Sequence, residues 1–248
     1  MIDDLRLKKD NTFAFIEIFD NKSFKDNCLI VKEIVNLLAS FKFRYSVKSK
    51  SLGEFFEELL NTSLKQEAGQ FFTPYPLVDF MINSLPIKDI IEQNIQQNKN
   101  QILPFFIDYA CGSGHFLISY INKVQQEIND WKINNSYTSD IKNKISSYKT
   151  AKFSWVKDYV FGIEKDYRLA KTTKISLFLN GDGEAQILHA DGINKFSCED
   201  YSKLILSSSE NKNEKFNFVV SNPPYSVKGY MKNFRKNDIS KGMELFDY

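Results

Sequence analysis

Residues 105–114 have the sequence Phe-Phe-Ile-Asp-Tyr-Ala-Cys-Gly-Ser-Gly, in which a short apolar run is followed by a turn that contains two glycines. An amphipathic helix is predicted directly after the turn, with apolar residues at Phe116, Leu117, Ile118, Ile121 and Val124. The glycines let a ligand approach the backbone where a Cβ would clash. A strand that leads through such a turn into a helix is typical of an α/β domain that binds a ligand at its strand ends.

Strand and helix alternate along the chain beyond this segment. Further strands are predicted at residues 159–164, 185–189 and 216–221, with a helix from about residue 166 to residue 180. This alternation predicts a parallel, doubly wound sheet with helices on both faces. A strand order of 3-2-1-4 leaves the fourth strand at an edge, so we expect another chain to cover it or the sheet to be completed by a longer polypeptide.

The chain ahead of this sheet is expected to have a different architecture. Residues 1–66 are predicted to form a small helical domain, and residues 67–248 to form the α/β domain. Thr73 is expected to cap a helix that begins near Pro74.

Two polar stretches of the α/β domain carry weaker patterns. Residues 90–101, rich in Asn and Gln, are expected to be a surface connection. Residues 130–155 are expected to be an exposed insertion, because Asn, Ser and Lys dominate them.

The composition limits the classes of function. Lys and Arg number 33 against 31 Asp and Glu, so any nucleic-acid surface must be a local patch. The three cysteines are scattered without paired spacing, so neither a disulfide framework nor a metal site is predicted. The N-terminus lacks a signal-peptide pattern, and no run approaches the roughly 18 apolar residues of a membrane span. A soluble, cytoplasmic protein without membrane association is therefore expected.

Each predicted strand is followed by a polar side chain, namely Asp108, Glu164, Asp191 or Asn222. Because ligands of open α/β sheets bind outside the carboxyl ends of the strands, we expect these residues to share one site. Glu164 is placed like the acid that accepts hydrogen bonds from ribose hydroxyls, and Asp191 can accept from the amino group of adenine. No lysine follows the glycines as in a phosphate-binding loop, so the pattern favours a nucleoside ligand without phosphates.

The residues Asn222-Pro223-Pro224-Tyr225 follow the fourth strand. The prolines fix φ and have no N–H, so their carbonyls are available to a ligand. The Asn222 side-chain oxygen and the Pro223 carbonyl can together accept both hydrogens of an exocyclic amino group, while Tyr225 stacks on the ring. On these four residues alone, a turn that closes a buried strand is the alternative.

Five segments together resemble motifs of γ-type adenine-N6 DNA methyltransferases. Residues 108–117 are similar to the S-adenosylmethionine motif of that family, and residues 222–225 to its catalytic motif. Residues 69–74, Gly-Gln-Phe-Phe-Thr-Pro, resemble the cofactor-clasping motif in the γ order. The helix 170–181 and the turn 189–192 also match. The resemblance covers roughly residues 50 to 230 and extends to modification (M) subunits of type I restriction–modification systems and related single-chain restriction–methylase enzymes.

The resemblance implies a Rossmann-like methyltransferase fold and methyl transfer from S-adenosyl-L-methionine to a flipped-out adenine. It assigns the methionine end of the cofactor to Phe72, Thr73 and Pro74. The amino-acid and sulfonium region falls to Asp108, Ala110, Gly112 and Gly114, the ribose to Glu164, and the adenine amine to Asp191. The implied catalytic residues are Asn222, Pro223, Pro224 and Tyr225, with no metal ion. The implied partners are double-stranded DNA, a specificity subunit or fused target-recognition domain, and a restriction endonuclease subunit.

Two other functions stay open. The same fold can methylate RNA or a protein glutamine, although the Phe-Thr-Pro segment and the helical N-terminal domain argue against it. A non-catalytic module for cofactor binding and assembly within a restriction complex is the other, motivated by the sheet that is expected to be incomplete.

Overall fold

The computed structural model describes residues 28, 32–37, 39–40, 73–179, 185–193 and 216–224. The chain divides into two compact units, residues 1–49 and 50–248. In the first unit, residues 32–37 are helical. The predicted domain boundary near residue 66 lies outside the described residues and stays a prediction.

A parallel sheet organises the described part of the second unit. Its strands are β1 Phe106–Asp108, β2 Val160–Glu164, β3 Gln186–His189 and β4 Phe218–Val219. Their order is β3-β2-β1-β4, which confirms the predicted order. Phe106 pairs with Val160 on one side and with Phe218 on the other. β2 and β3 are therefore added on one side of β1, and β4 is added on the other side. This reversal of strand order makes the β1–β4 boundary the switch point where such folds bind ligands.

Helices precede the sheet and connect its strands. They are α1 Tyr75–Asn83, α2 Ile87–Gln96, α3 His115–Asp130, α4 Ser139–Thr150, α5 Val156–Tyr159 and α6 Tyr167–Leu179. The predicted α/β alternation is confirmed, since α3 follows β1 and α6 follows β2. None of the helices in the described ranges is long and apolar enough to cross a membrane.

The core lies where α3 packs on the sheet. Leu117, Tyr120, Ile121 and Val124, spaced along one face of α3, are completely buried. The Tyr120 ring stacks on Phe106 of β1 with 4.2 Å between ring centroids. Burial of each such side chain contributes roughly 1.5–3 kcal/mol to folding, so this face fixes α3, and with it the preceding turn, on the sheet.

The prediction of a surface connection at residues 90–101 is wrong for its first half, because α2 extends to Gln96. Ile87, Ile91 and Ile95 recur every four residues and are buried against the core. Asn94 is buried as well and donates to the carbonyl of Ile102 at 3.3 Å. The many Asn and Gln residues of this segment made it look like a surface loop, because its buried helical face is formed by no more than three isoleucines and Asn94.

The prediction of an exposed insertion at residues 130–155 is also wrong in part. Ile141 and Ile145 of α4 are buried, and α4 contacts α3. Further along the same segment, Trp155 Nε1 and the Phe153 N–H both donate to Oε1 of Gln125 in α3, each at 3.0 Å. Two isoleucines one turn apart and a satisfied buried amide are therefore enough to fix this polar segment on the core.

Candidate functional site

The carboxyl ends of β1 and β2 and the loops that follow β1 and β3 form one edge of the sheet. The Cys111 N–H donates to the Ile163 carbonyl at 2.9 Å, and the Ala190 N–H donates to the Glu164 carbonyl at 3.1 Å. Both loops therefore lie against the end of β2. Polar side chains that are far apart in sequence come together at this edge.

The glycine turn after β1 is fixed from two directions. Gly112 and Gly114 have φ of +52° and +87°, values that favour glycine. The Gly112 N–H donates to Glu164 Oε2 at 2.8 Å, and its carbonyl accepts a hydrogen bond from the Thr173 hydroxyl of α6. Thr173 is completely buried, and its hydroxyl shares its proton between the Gly112 carbonyl and the Leu169 carbonyl, which lies 2.9 Å away one turn back in α6. The turn thus has a fixed conformation set by β2 and α6.

Asp108 has a buried carboxyl group with one unsatisfied oxygen. Its Oδ1 accepts the Ala110 N–H at 3.1 Å, whereas Oδ2 has no hydrogen-bond partner among the described residues. Burial raises the pKa of Asp108 to about 7; the nearby Ser221 hydroxyl lowers it in part, although Ser221 Oγ and Asp108 Oδ2 do not meet hydrogen-bond geometry. A buried acceptor without a donor is uncommon in folded proteins, so Oδ2 is available to a ligand.

Glu164 is held by two backbone hydrogen bonds. Its Oε1 accepts the Asp166 N–H at 2.7 Å, while Oε2 accepts the Gly112 N–H. Burial raises the pKa of Glu164, and these two hydrogen bonds lower it in part. Each carboxylate oxygen retains a second lone pair, so a fixed Glu164 can still accept from ligand hydroxyls.

Asp191 lies just beyond β3 and forms an ion pair. Its Oδ2 is 2.7 Å from Lys165 Nζ, and its Oδ1 accepts the Ile193 N–H at 3.3 Å. Lys165 is 72% exposed, so this ion pair contributes little to stability. The sequence analysis missed Lys165, although its position directly after Glu164 at a strand end is a usable signal.

Asn222 and Thr73 meet at the switch point. Asn222 Nδ2 donates to Thr73 Oγ1 at 2.9 Å, and the Thr73 carbonyl is 3.2 Å from His115 Nδ1. The prediction that Thr73 caps α1 is wrong, because Pro74 occupies the N-cap position and no side chain caps the helix. The Thr73 hydroxyl instead contacts Asn222, three residues beyond β4.

Five predicted site residues remain, and the structure describes three of them. Ala110, Pro223 and Pro224 are half-buried at the same edge. Phe72 and Tyr225 lie outside the described residues, so their assignments stay predictions. Within the described ranges, no group of three or more His, Cys, Asp or Glu residues is placed to hold a metal ion.

Thr173 and Ser221 are residues of this edge that the sequence analysis missed. Thr173 lies on the buried face of α6 with Ala170 and Leu177, so helical periodicity marks it as a core position. Nothing in the sequence indicates that it bonds the glycine turn.

Replacing Thr173 with valine is expected to lower the free energy of unfolding by about 1–3 kcal/mol, because the Gly112 carbonyl loses its side-chain donor. Urea titration monitored by circular dichroism measures the change. Thr150→Val is the matched control: Thr150 is exposed on α4, and its hydroxyl donates to the Ser146 carbonyl, one turn back in its own helix. Equal losses in the two variants would contradict the assignment of Thr173 to the turn.

Gly192 is a position where an added Cβ meets backbone. That Cβ would lie 1.9 Å from the Tyr109 carbonyl oxygen, so the loops after β3 and β1 would have to separate. Gly192→Ala is expected to lower the free energy of unfolding by about 3 kcal/mol or more. Gly162→Ala is the control, since its closest contacts are side-chain ends such as Ile187 Cδ1 at 2.8 Å, which can adjust. Urea titration that finds the larger loss in Gly162→Ala would refute this contrast.

Comparison with known proteins identifies similar sequences and structures. A family model described as N-6 DNA Methylase matches residues 47–244. No curated protein gives a significant match. Among solved structures, a modification subunit assigned to a type I restriction enzyme of Vibrio vulnificus YJ016 is similar, with 18% identity and a TM-score of 0.48. That match covers 84% of this chain and 36% of the other, so the chain spans about a third of that protein's length.

Proposed function

Since the chain belongs to the N-6 DNA methylase family, we propose that it transfers a methyl group from S-adenosyl-L-methionine to the N6 amine of adenine in double-stranded DNA. The observation that supports this proposal is the meeting of three distant segments at the switch point. Thr73 contacts both Asn222 and His115, so the segment before α1, the glycine turn and the end of β4 adjoin one another. Each of them carries residues of the proposed site.

The described residues are compatible with S-adenosylmethionine. Asp108 Oδ2 is a buried acceptor that has no hydrogen-bond partner in the described part of the chain and is suited to an ammonium group, and Glu164 retains lone pairs for ribose hydroxyls. Gly112 and Gly114 have the positive φ that this turn requires, and Ala110 precedes them in the same loop. When bound, the cofactor supplies an electrophilic methyl group on a positively charged sulfur.

Three further positions are proposed to complete the cofactor site. Phe72, Thr73 and Pro74 would contact the methionine end. Asp191 would accept a hydrogen bond from the adenine amine of the cofactor, because a carboxylate oxygen can accept more than one hydrogen bond.

Asn222 and Pro223 are proposed to hold the target amine. An exocyclic amine is a poor nucleophile because its lone pair is delocalised into the aromatic ring. Two acceptors, Asn222 Oδ1 and the Pro223 carbonyl, favour a pyramidal nitrogen whose lone pair points at the methyl group. The contribution is orientation and electrostatic stabilisation of developing charge. Pro224 would fix the turn, and Tyr225 would stack on a base that has left the duplex.

Two measurements on the full chain test this proposal. Calorimetric titration with S-adenosylmethionine is expected to show binding that Asp108→Ala loses. Incubation with tritiated cofactor and mixed-sequence duplex DNA is expected to yield N6-methyladenine after nuclease digestion. Transfer to RNA or to a protein glutamine, without transfer to DNA, would establish the other substrate class. Cofactor binding without any turnover would establish a non-catalytic assembly module.

We also propose that the chain acts within a restriction–modification system. The order of its motifs, with the Phe-Thr-Pro segment ahead of the glycine turn, supports this context. A specificity subunit or fused target-recognition domain would supply sequence selection, and a restriction endonuclease subunit would complete the assembly. Sequencing the methylated adenines in genomic DNA of cells that carry the complete system tests the idea: methylation confined to one short sequence supports it, whereas methylation of every sequence context opposes it.

A further inference from the structure

The Asn222 side chain can work in only one of its two amide orientations. The target amine is solely a donor at its hydrogens, so Oδ1 of Asn222 must face it and Nδ2 must point away. In the structure, Nδ2 donates to Thr73 Oγ1 at 2.9 Å. The contact therefore holds the amide by Nδ2, the group that the target amine does not need.

Thr73 itself is held by helix α3. Its carbonyl is 3.2 Å from His115 Nδ1, and because a carbonyl only accepts, this contact selects the tautomer with a proton on Nδ1. The Tyr75 ring covers the imidazole with 4.0 Å between centroids. One turn further along, Ser119 Oγ donates to Asp79 Oδ1 at 2.8 Å and ties α1 to α3. Thr73 is thus attached to the helix that starts at the glycine turn.

These contacts form a continuous path across the switch point. His115 begins α3 on the β1 side, Asn222 follows β4, and Thr73 bonds both. The glycine turn and the asparagine belong to segments more than 100 residues apart, and Thr73 fixes the position of one relative to the other.

We propose that Thr73 is a positioning residue for methyl transfer: its hydroxyl holds the Asn222 side chain through Nδ2 at the switch point, and His115 holds Thr73 in place. This inference rests on the proposed function and deepens it. It gives the Thr73 hydroxyl a role distinct from the proposed contact of the Phe-Thr-Pro segment with the methionine end of the cofactor.

A split between binding and turnover tests the role of the hydroxyl. Thr73→Val keeps the shape of the side chain and removes the acceptor, so kcat is expected to fall about 10- to 100-fold. The Kd for S-adenosylmethionine is expected to rise by a smaller factor than kcat falls, and Thr73→Ser, which retains the hydroxyl, should restore kcat to within about threefold. Thr138→Val, on the exposed residue before α4, is the control and should change neither constant. A weaker Kd with unchanged kcat at saturating cofactor would overturn the proposal.

A spectroscopic measurement tests the contact without requiring activity. In protein labelled with ¹⁵N-asparagine, the Asn222 side-chain NH₂ signals are identified by their absence in Asn222→Asp. Thr73→Val is expected to shift these signals, and Thr73→Ser to leave them near their wild-type positions. Unshifted signals in Thr73→Val would overturn the proposal even if methyl transfer is observed. Shifted signals in a protein that methylates no adenine would support the contact while refuting the proposed function.

His115→Phe provides a second variant that does not touch Thr73. It keeps an aromatic ring against Tyr75 and removes the Nδ1 donor to the Thr73 carbonyl. The same NH₂ signals of Asn222 are expected to broaden or shift, with a kcat loss of about 3- to 10-fold. Signals and kcat equal to wild type would show that His115 does not hold Thr73.

Discussion

Asn222→Ala is expected to lower kcat for adenine methylation by about 10²–10³-fold or more, since the variant loses a fixed acceptor aimed at the reacting amine. The Kd for S-adenosylmethionine is expected to stay within about threefold, because the proposed cofactor contacts come from the β1, β2 and β3 ends and from the segment before α1. Single-turnover transfer of tritiated methyl groups to duplex DNA measures the rate.

Asn143→Ala is the control for this experiment. Asn143 is an exposed residue of α4, and its loss should leave both constants unchanged. Wild-type turnover by Asn222→Ala would mean that the segment after β4 only closes a strand, which is the alternative that the four residues alone left open.

Asp108→Asn is expected to remove a strong pH dependence of stability. Burial raises the pKa of Asp108 to about 7, above its ordinary value of 3.8. The folded state therefore binds a proton that the unfolded state releases between these two values. The free energy of unfolding is expected to fall by on the order of 4 kcal/mol as the pH rises from about 4 to above 7.

The asparagine variant keeps the size of the side chain and carries no titrating proton, so this part of the decline should disappear. A smaller decline should persist, because burial raises the pKa of Glu164 in the same direction. Urea titrations at pH 5 and pH 8 measure the difference, with Asp130→Asn, an exposed residue at the end of α3, as control. Calorimetric titration of Asp108→Asn with S-adenosylmethionine should also show weaker binding than that of the wild type. An identical pH dependence in Asp108→Asn and wild type would contradict the effect of burial.

The sheet could be predicted because its signals are local. An apolar run, a glycine turn and an amphipathic helix lie within about 20 residues around Asp108, and parallel strands then place Glu164 at the same edge. The helices α2 and α4 escaped prediction because their buried faces consist of two or three isoleucines within polar segments. When so few apolar residues form the buried face of a helix, the polar composition of the segment hides its helical periodicity.

The side-chain contacts of the site could not be predicted for a different reason. Thr173 bonds a carbonyl 61 positions away, and Lys165 pairs with a residue 26 positions away. No local pattern carries such information, because the partners become neighbours only when the strands have paired. The residue types at the edge were therefore predictable, whereas the hydrogen bonds that orient them were not.

The Thr73–Asn222 contact has a consequence for the order of events during folding. It joins residues 149 positions apart, and closing so long a loop costs about 4–5 kcal/mol of chain entropy before any contact offsets it. The hydrogen bonds described above for the glycine turn go to β2 and α6, which are complete by Leu179. During synthesis the cofactor turn can therefore form while Asn222 is still untranslated, and the two halves of the site join last.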